Sequence, residues 1–307
     1  MSKPETSGSF SAFNKLSIET LSHIASFFDP HVPAEREALK NMARTCKPLM
    51  TSAQKFLWSE IEIITRAPIV GLYPRRSRKR NCCHEPEAKI RELYQIIKNN
   101  PNIAKPIRRL TFTSFSSSSD LQCQWFNSSR LVEALDRINQ NHPLTAVKFK
   151  GEIVPWNIGA ARSLVTKFWR SHIAQQITSL HLVNMAGVPI AMITNCVRLD
   201  HLRLENTELE RLSSHNPSHW KRRPPLLQNL VVKGCGSDVL VALSSSPTSG
   251  SPSLVDFTRL DSFESDSWHV EDRGGLGVAL TLRVAVNVKS LSLKGEYDNH
   301  HRAPSLD

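Results

Sequence analysis

The hexapeptide LDHLRL, residues 199–204, sets Leu199, Leu202 and Leu204 at steps of three and two. A step of two cannot keep two side chains on one helix face. Leu202 and Leu204, with Arg203 between them, therefore read as a short strand with one face in a core and the other in water. The same steps separate Ile107/Leu110/Phe112, Leu144/Val147/Phe149, Ile177/Leu180/Leu182, Leu227/Leu230/Val232 and Val288/Leu291/Leu293, with a degenerate copy at Leu254/Phe257. The middle residues of successive copies lie 37, 33, 22, 28, 27 and 34 residues apart. Between copies run apolar positions at helical spacing: Ile90, Leu93, Ile97; Leu131, Leu135, Ile138; Leu164, Phe168; Val239, Leu240, Leu243. Each unit is then a helix followed by a strand. Such a unit cannot bury its apolar face alone, and stacking the units in a row solves that. An α/β domain that alternates helix and strand without repeat ancestry is the competing reading.

In a stack of this kind the residues between and beside the inward ones face outward. They include Arg109, Lys148, Lys150, His181, His201, Arg203, Glu205, Lys233 and Lys294. Their mostly positive character predicts an acidic or phosphorylated face on whatever binds there.

Upstream, KLSIETLSHIASFF (15–28) puts Ile18, Leu21, Ile24 and Phe28 at helical steps, with Phe27 beside them. Ser17 suits the N-cap, Glu19 complements the helix dipole, and Leu16 can staple onto Leu21. Asp29-Pro30 ends that helix. A second is expected from Pro33 with Leu39, Met42, Ala43 and Cys46 on its face, and a third from Pro48 through Trp58. IEII (61–64) alternates like a strand. Three helices in so few residues lie near the limit where one core suffices, about 40 residues without help. Apolar residues on more than one helix face imply a partner surface, either in the same chain or on another protein.

The segment 13–64 resembles an F-box. The likeness rests on Leu16-x-Ile18-Glu19-x-Leu21-x-x-Ile24, Leu39, Arg44-x-Cys46-Lys47-x-Leu49, and Leu57-Trp58 before the Ile61/Ile63 strand. It departs where the family usually has Leu-Pro (here Leu16-Ser17) and often Trp (here Leu49). With the irregular repeats after it, and Asn195-Cys196 similar to a repeat turn, the chain resembles fungal-type F-box/leucine-rich-repeat proteins. The fold this implies is a three-helix F-box followed by an irregular leucine-rich-repeat-like solenoid of helix–strand units. The boundaries are a disordered 1–12, the F-box at 13–64, a basic linker at 65–87, the repeat domain at 88–296 and a tail at 297–307. The function implied is that of a non-catalytic substrate adaptor. Leu16, Ser17, Ile18, Leu21, Ile24, Phe28, Leu39, Leu49 and Trp58 would dock on the Skp subunit of a cullin–RING ubiquitin ligase, or form the core behind it, and the repeats would hold a protein target.

Charge and chemistry narrow the alternatives. The chain carries a net charge of +11, yet residues 65–109 hold twelve basic and three acidic side chains while 1–64 balance at seven and seven. The excess centres on RRSRKR, with Arg75, Arg76, Arg78, Lys79 and Arg80. This strip reads as a solvated linker or nuclear-import loop. A nucleic-acid contact strip, the alternative, lacks interleaved aromatics apart from Tyr73. A plain structural repeat scaffold is the third reading. The six cysteines have no framework spacing, and Cys82-Cys83-His84 has no partner pair to complete a zinc site. With no apolar leader or membrane-length run, the expected compartment is cytosol or nucleus. No phosphate loop, dinucleotide fingerprint, nucleophile elbow or HExxH helix is present, and neither catalysis nor a cofactor or metal is expected. Asp261, Glu264 and Asp266 read as a solvated cluster. The polar stretches 113–120, 206–225 and 244–253 read as flexible insertions. The chain ends at Asp307 soon after a strand with no capping repeat, as a shortened chain would.

Overall fold

The structure is a computed structural model; it describes residues 16–30, 32–65, 84–114, 128–151, 164–210, 223–236, 238–244, 253–266 and 273–294. Three helices come first: α1 (Ile18–Ser26), α2 (Pro33–Thr45) and α3 (Lys47–Leu57). Ser17 caps α1 by accepting from the Thr20 amide at 3.2 Å, and Pro33 and Pro48 occupy first-turn positions of α2 and α3. The strand β1 (Glu60–Thr65) follows directly. Helix and strand then alternate: α4 (His84–Asn99), β2 (Arg109–Ser114), α5 (Ser129–Asn141), β3 (Ala146–Lys150), α6 (Leu164–Ile173), β4 (Ser179–Val188), the one-turn α7 (Ala191–Thr194) and β5 (His201–Leu209). The last elements are β6 (Asn229–Lys233), α8 (Asp238–Ser244), β7 (Ser262–Ser265), α9 (Arg273–Val284) and β8 (Ser290–Leu293).

All eight strands form one open parallel sheet in sequence order, β1 to β8. Parallel crossovers take one hand. Seven successive steps in the same direction therefore bring the connecting helices to the same face. The register aligns Ile61, Leu110, Val147, Leu180, Leu202, Leu230, Phe263 and Leu291 in one row, inward except that Leu291, expected inward, is 50% exposed on the edge strand β8. Ile63, Phe112, Phe149, Leu182, Leu204, Val232, Ser265 and Leu293 form the next. These rows and the expected helical faces make one continuous core, with Ile90, Ile97, Leu131, Ile138 and Leu243 fully buried. A ring stack runs through it: Phe112 and Phe149 at 5.0 Å, then Phe149 and Trp169 at 5.7 Å.

The stretch that opened the reading takes its expected form, since Leu199, Leu202 and Leu204 are buried while His201 and Arg203 are exposed. Three local expectations need correction. The degenerate copy at Leu254/Phe257 is buried but is not the strand, which comes later with Phe263 inward. The cluster Asp261, Glu264 and Asp266 belongs to that strand and its ends and is not a solvated loop: Lys289 pairs with Asp261 at 3.1 Å, Lys233 with Glu264 at 2.8 Å, and the Gly234 amide donates to Asp266 at 2.7 Å. Residues 206–209, assigned to an insertion, continue β5. The basic residues Arg75, Arg76, Arg78, Lys79 and Arg80, the Cys82-Cys83 pair, the segments 1–12 and 297–307, and most of the three polar stretches lie outside the described residues.

Within the later halves of β4 and β5, and just after β6, the chain passes through a repeated left-handed position. Asn184, Asn206 and Gly234 have φ of 54°, 46° and 57°. The Asn206 amide donates to Asn184 Oδ1 at 2.9 Å, so adjacent turns are tied side chain to side chain. At position 234 a Cβ would lie 1.9 Å from Asn206 Oδ1. Glycine is therefore required there both for its backbone angle and for the neighbour's amide.

The three N-terminal helices have a small core of their own, Ala25, Leu39 and Ala53, with Phe28, Met42, Ala43, Phe56 and Leu57 packed against it. They are not a detached module. β1 follows α3 after two residues, pairs with β2 over six positions and buries Ile63 in the main core.

Candidate functional site

Two surfaces stand out. The first is on α1. Of the residues assigned to docking, Leu21 and Leu39 are fully buried and Leu49 nearly so, which makes them the core behind the surface. Ile24, Phe28 and Trp58 are partly buried. Leu16 and Ile18 remain 40% and 51% exposed, and Phe27 is 73% exposed. At 3.6 residues per turn, Ile18 and Phe27 lie half a turn apart, on opposite flanks of the Leu21/Ala25 stripe. The helix thus spends one face on its own core and leaves apolar side chains on both flanks. Val32, between α1 and α2, adds another exposed apolar group. Sequence reasoning ranked Phe27 as an accessory, because a stripe read by spacing marks the buried face, not the free one.

The second surface is the polar face of the sheet. Every outward residue named from the sequence lies on it or at its border, in register. Lys148, His181 and Arg203 occupy one row across β3, β4 and β5, and Lys150, Val183, Glu205 and Lys233 occupy the next. Arg109 and His201 stand in the row toward the strand starts, and Lys294 follows β8. The face is not uniformly cationic. Arg203 is held by Glu205, and Lys233 by Glu264. His201 Nδ1 meets the Asn229 amide at 2.8 Å. On β1, Glu60 and Glu62 each accept a hydroxyl from β2, from Thr111 and Thr113 at 2.8 Å. Arg203 and Glu205 are two apart on one strand, but the sequence could not reveal the cross-strand pairings, since those partners depend on register and lie 28 to 51 positions away in the chain.

His181 is the unusual group. Its Nε2 is buried and lies 3.3 Å from Glu205 Oε2, without the alignment of a hydrogen bond. Burial and the neighbouring Lys148 ammonium push the imidazole down to about 4 despite the Glu205 carboxylate, so it is neutral at physiological pH. Burial raises the Glu205 carboxyl, but the Arg203 hydrogen bond and the charges of His181 and Arg203 outweigh that and hold it below its usual range. Below its ordinary value of 6.5 the unfolded chain protonates His181, whereas the folded chain refuses the proton until about 4. Stability therefore falls as pH drops through that window. Between pH 7 and 5 the wild type is expected to lose of order 1 kcal/mol more than a His181→Gln variant, after allowance for solvent screening. Urea midpoints at the two pH values read this directly, and equal losses would refute it.

Among the described residues no group of three His, Cys, Asp or Glu could hold a metal ion. The Cys196 thiol is buried and donates to the Met192 carbonyl, and burial raises it far above its usual range. Cys235 is pushed up to about 11, by burial first. Neither is a poised nucleophile. No helix among the described residues is long and apolar enough to cross a membrane. No family model matches this chain, and no curated protein does either.

Proposed function

We propose that the chain is a non-catalytic adaptor of the F-box/leucine-rich-repeat type, whose N-terminal helices dock on a Skp subunit and whose sheet face holds a protein target. The observation that carries this reading is the division of labour on α1: Leu21, Ala25 and Leu39 close a small core while Ile18 and Phe27 stay exposed on its flanks. A three-helix unit that has completed its own core has no internal use for further apolar surface, and Leu16, Ile18, Phe27 and Val32 all remain exposed on it. A standard interface needs about 800 Å² from each partner, which a unit of this size can supply. The sheet runs on from the same unit as a stack of helix–strand repeats with one polar face, the arrangement expected of a solenoid that presents a binding surface. The adaptor raises the effective concentration of a bound target near the ubiquitin-conjugating enzyme and performs no bond chemistry itself.

Co-expression with a Skp subunit tests it. Wild type is expected to co-purify with the Skp chain, and an Ile18→Asp, Phe27→Lys double variant to lose it at least about tenfold. Asp at the first helical position and Lys at the C-terminal end both suit the helix dipole, so the variant's thermal midpoint should hold. Leu21→Asp would be uninformative, because a buried aspartate collapses the small core. Failure of well-folded wild type to retain the Skp chain would end the adaptor reading.

A further inference from the structure

We infer that β3, on the polar face of the sheet, binds an extended acidic segment of a partner protein, with carboxylates two residues apart received by Lys148 and Lys150. This deepens the target-binding half of the proposed function and rests on it for the nature of the partner. The argument begins with which cations are already neutralised. Arg203 is bound to Glu205, Lys233 to Glu264 and Lys289 to Asp261. Among the described residues, neither Lys148 nor Lys150 has a carboxylate within ion-pair reach. His181, next to Lys148 in register, carries no charge at neutral pH and adds nothing to the field.

The result is a narrow positive stripe. Glu60 and Glu62 lie two strands away on one side, and Glu205 two strands away on the other. Two strand spacings are about 10 Å, close to the Debye length at physiological salt. A broad polyanion laid across the face, such as a nucleic acid, would meet acids on both sides. A single extended chain running along β3 would not. Outward residues two apart on a strand sit about 7 Å from each other, which is also the repeat of alternate side chains in an extended peptide. Lys148 and Lys150 can therefore each take one acid of an Asp-x-Asp or Glu-x-Glu pattern. Ammonium point charges, with the Arg203 guanidinium already engaged, favour separate carboxylates over the bidentate grip that a phosphate prefers.

The probe is a fluorescein-labelled peptide of alternating Asp and Ser, with a phosphoserine–glycine peptide of matched charge as the second arm, titrated with the full chain at low salt. Saturable binding of the Asp–Ser probe is expected, weakened about tenfold or more in Lys148→Glu, Lys150→Glu. Lys148→Gln, Lys150→Gln should act in the same direction and covers misfolding of the reversal variant. Lys289→Glu, at the far end of the sheet, should leave binding unchanged. Absence of saturable binding, equal loss in Lys289→Glu, or preference for the phosphoserine probe would overturn the inference. Skp retention measured on the same proteins separates the two readings. Probe failure with Skp capture intact removes this site alone, and the reverse outcome removes the adaptor reading alone.

Discussion

Trp169→Ala is expected to lower the unfolding free energy by about 3–5 kcal/mol, the range for deleting a large buried aromatic. Trp169 is fully buried, and its indole Nε1 donates to the Met192 carbonyl at 2.9 Å. The substitution removes the end of the Phe112–Phe149–Trp169 stack and the hydrogen bond that ties α6 to α7. It leaves a cavity and takes the indole donor from the Met192 carbonyl, which keeps only the weaker Cys196 thiol donor, and both costs add. Trp169→Phe keeps most of the volume and should recover well over half of the loss. Urea unfolding followed by far-ultraviolet circular dichroism measures both. A loss below about 1 kcal/mol for the alanine variant would mean that this part of the core repacks freely.

Gly234→Ala is expected to cost about 2–3 kcal/mol, a large effect for adding one methyl group. A non-glycine residue at φ 57° pays roughly 1–2 kcal/mol. The new Cβ also displaces the Asn206 side chain from its bond to Asn184, worth about 1 kcal/mol more. The two parts separate in a double-mutant cycle. In an Asn206→Gly background, which tolerates the same backbone angle and carries no amide, Gly234→Ala should cost only the backbone term. Additive losses would show that Asn206 does not sense position 234.

The strands were the most legible part of the fold, because step-two apolar pairs such as Leu202/Leu204 admit few other structures. Phe263 escaped because its strand, SFES, carries only one large apolar residue and sits between acids that resemble a solvated turn. Here the cross-strand partner Lys233 turns a surface acid into a ladder rung, and the sequence around 264 does not contain that partner. α6 was expected as an ordinary helix from Leu164 and Phe168. It is wound in π fashion, a spacing that local propensity does not signal. The strand identity of Asn206–Leu209 was hidden by NTEL, a polar run whose pairing with β4 depends on the left-handed turns at Asn184 and Asn206. On α1 the apolar pattern located the helix and its buried stripe, but which flank stays bare follows only from how α2 and α3 cover it. Likewise the outward residues were legible as a set, whereas their charges could be balanced only after register paired Lys233 with Glu264 and left Lys148 without a carboxylate.

The joining of α3 to β1 makes the sheet a ruler. Because β1 is at once the end of the helical unit and the first rung of the ladder, no hinge of flexible chain separates α1–α3 from the surface that follows. Each strand farther along places its outward residues about 4.8 Å deeper into the array. A ligand on β3 is held about 10 Å from β1, and one on β7 about 29 Å. Distance from the helices is then set by strand number alone. Moving a binding residue from one rung to the next would shift the cargo by a fixed step and turn it by the twist between neighbouring strands, about 20°.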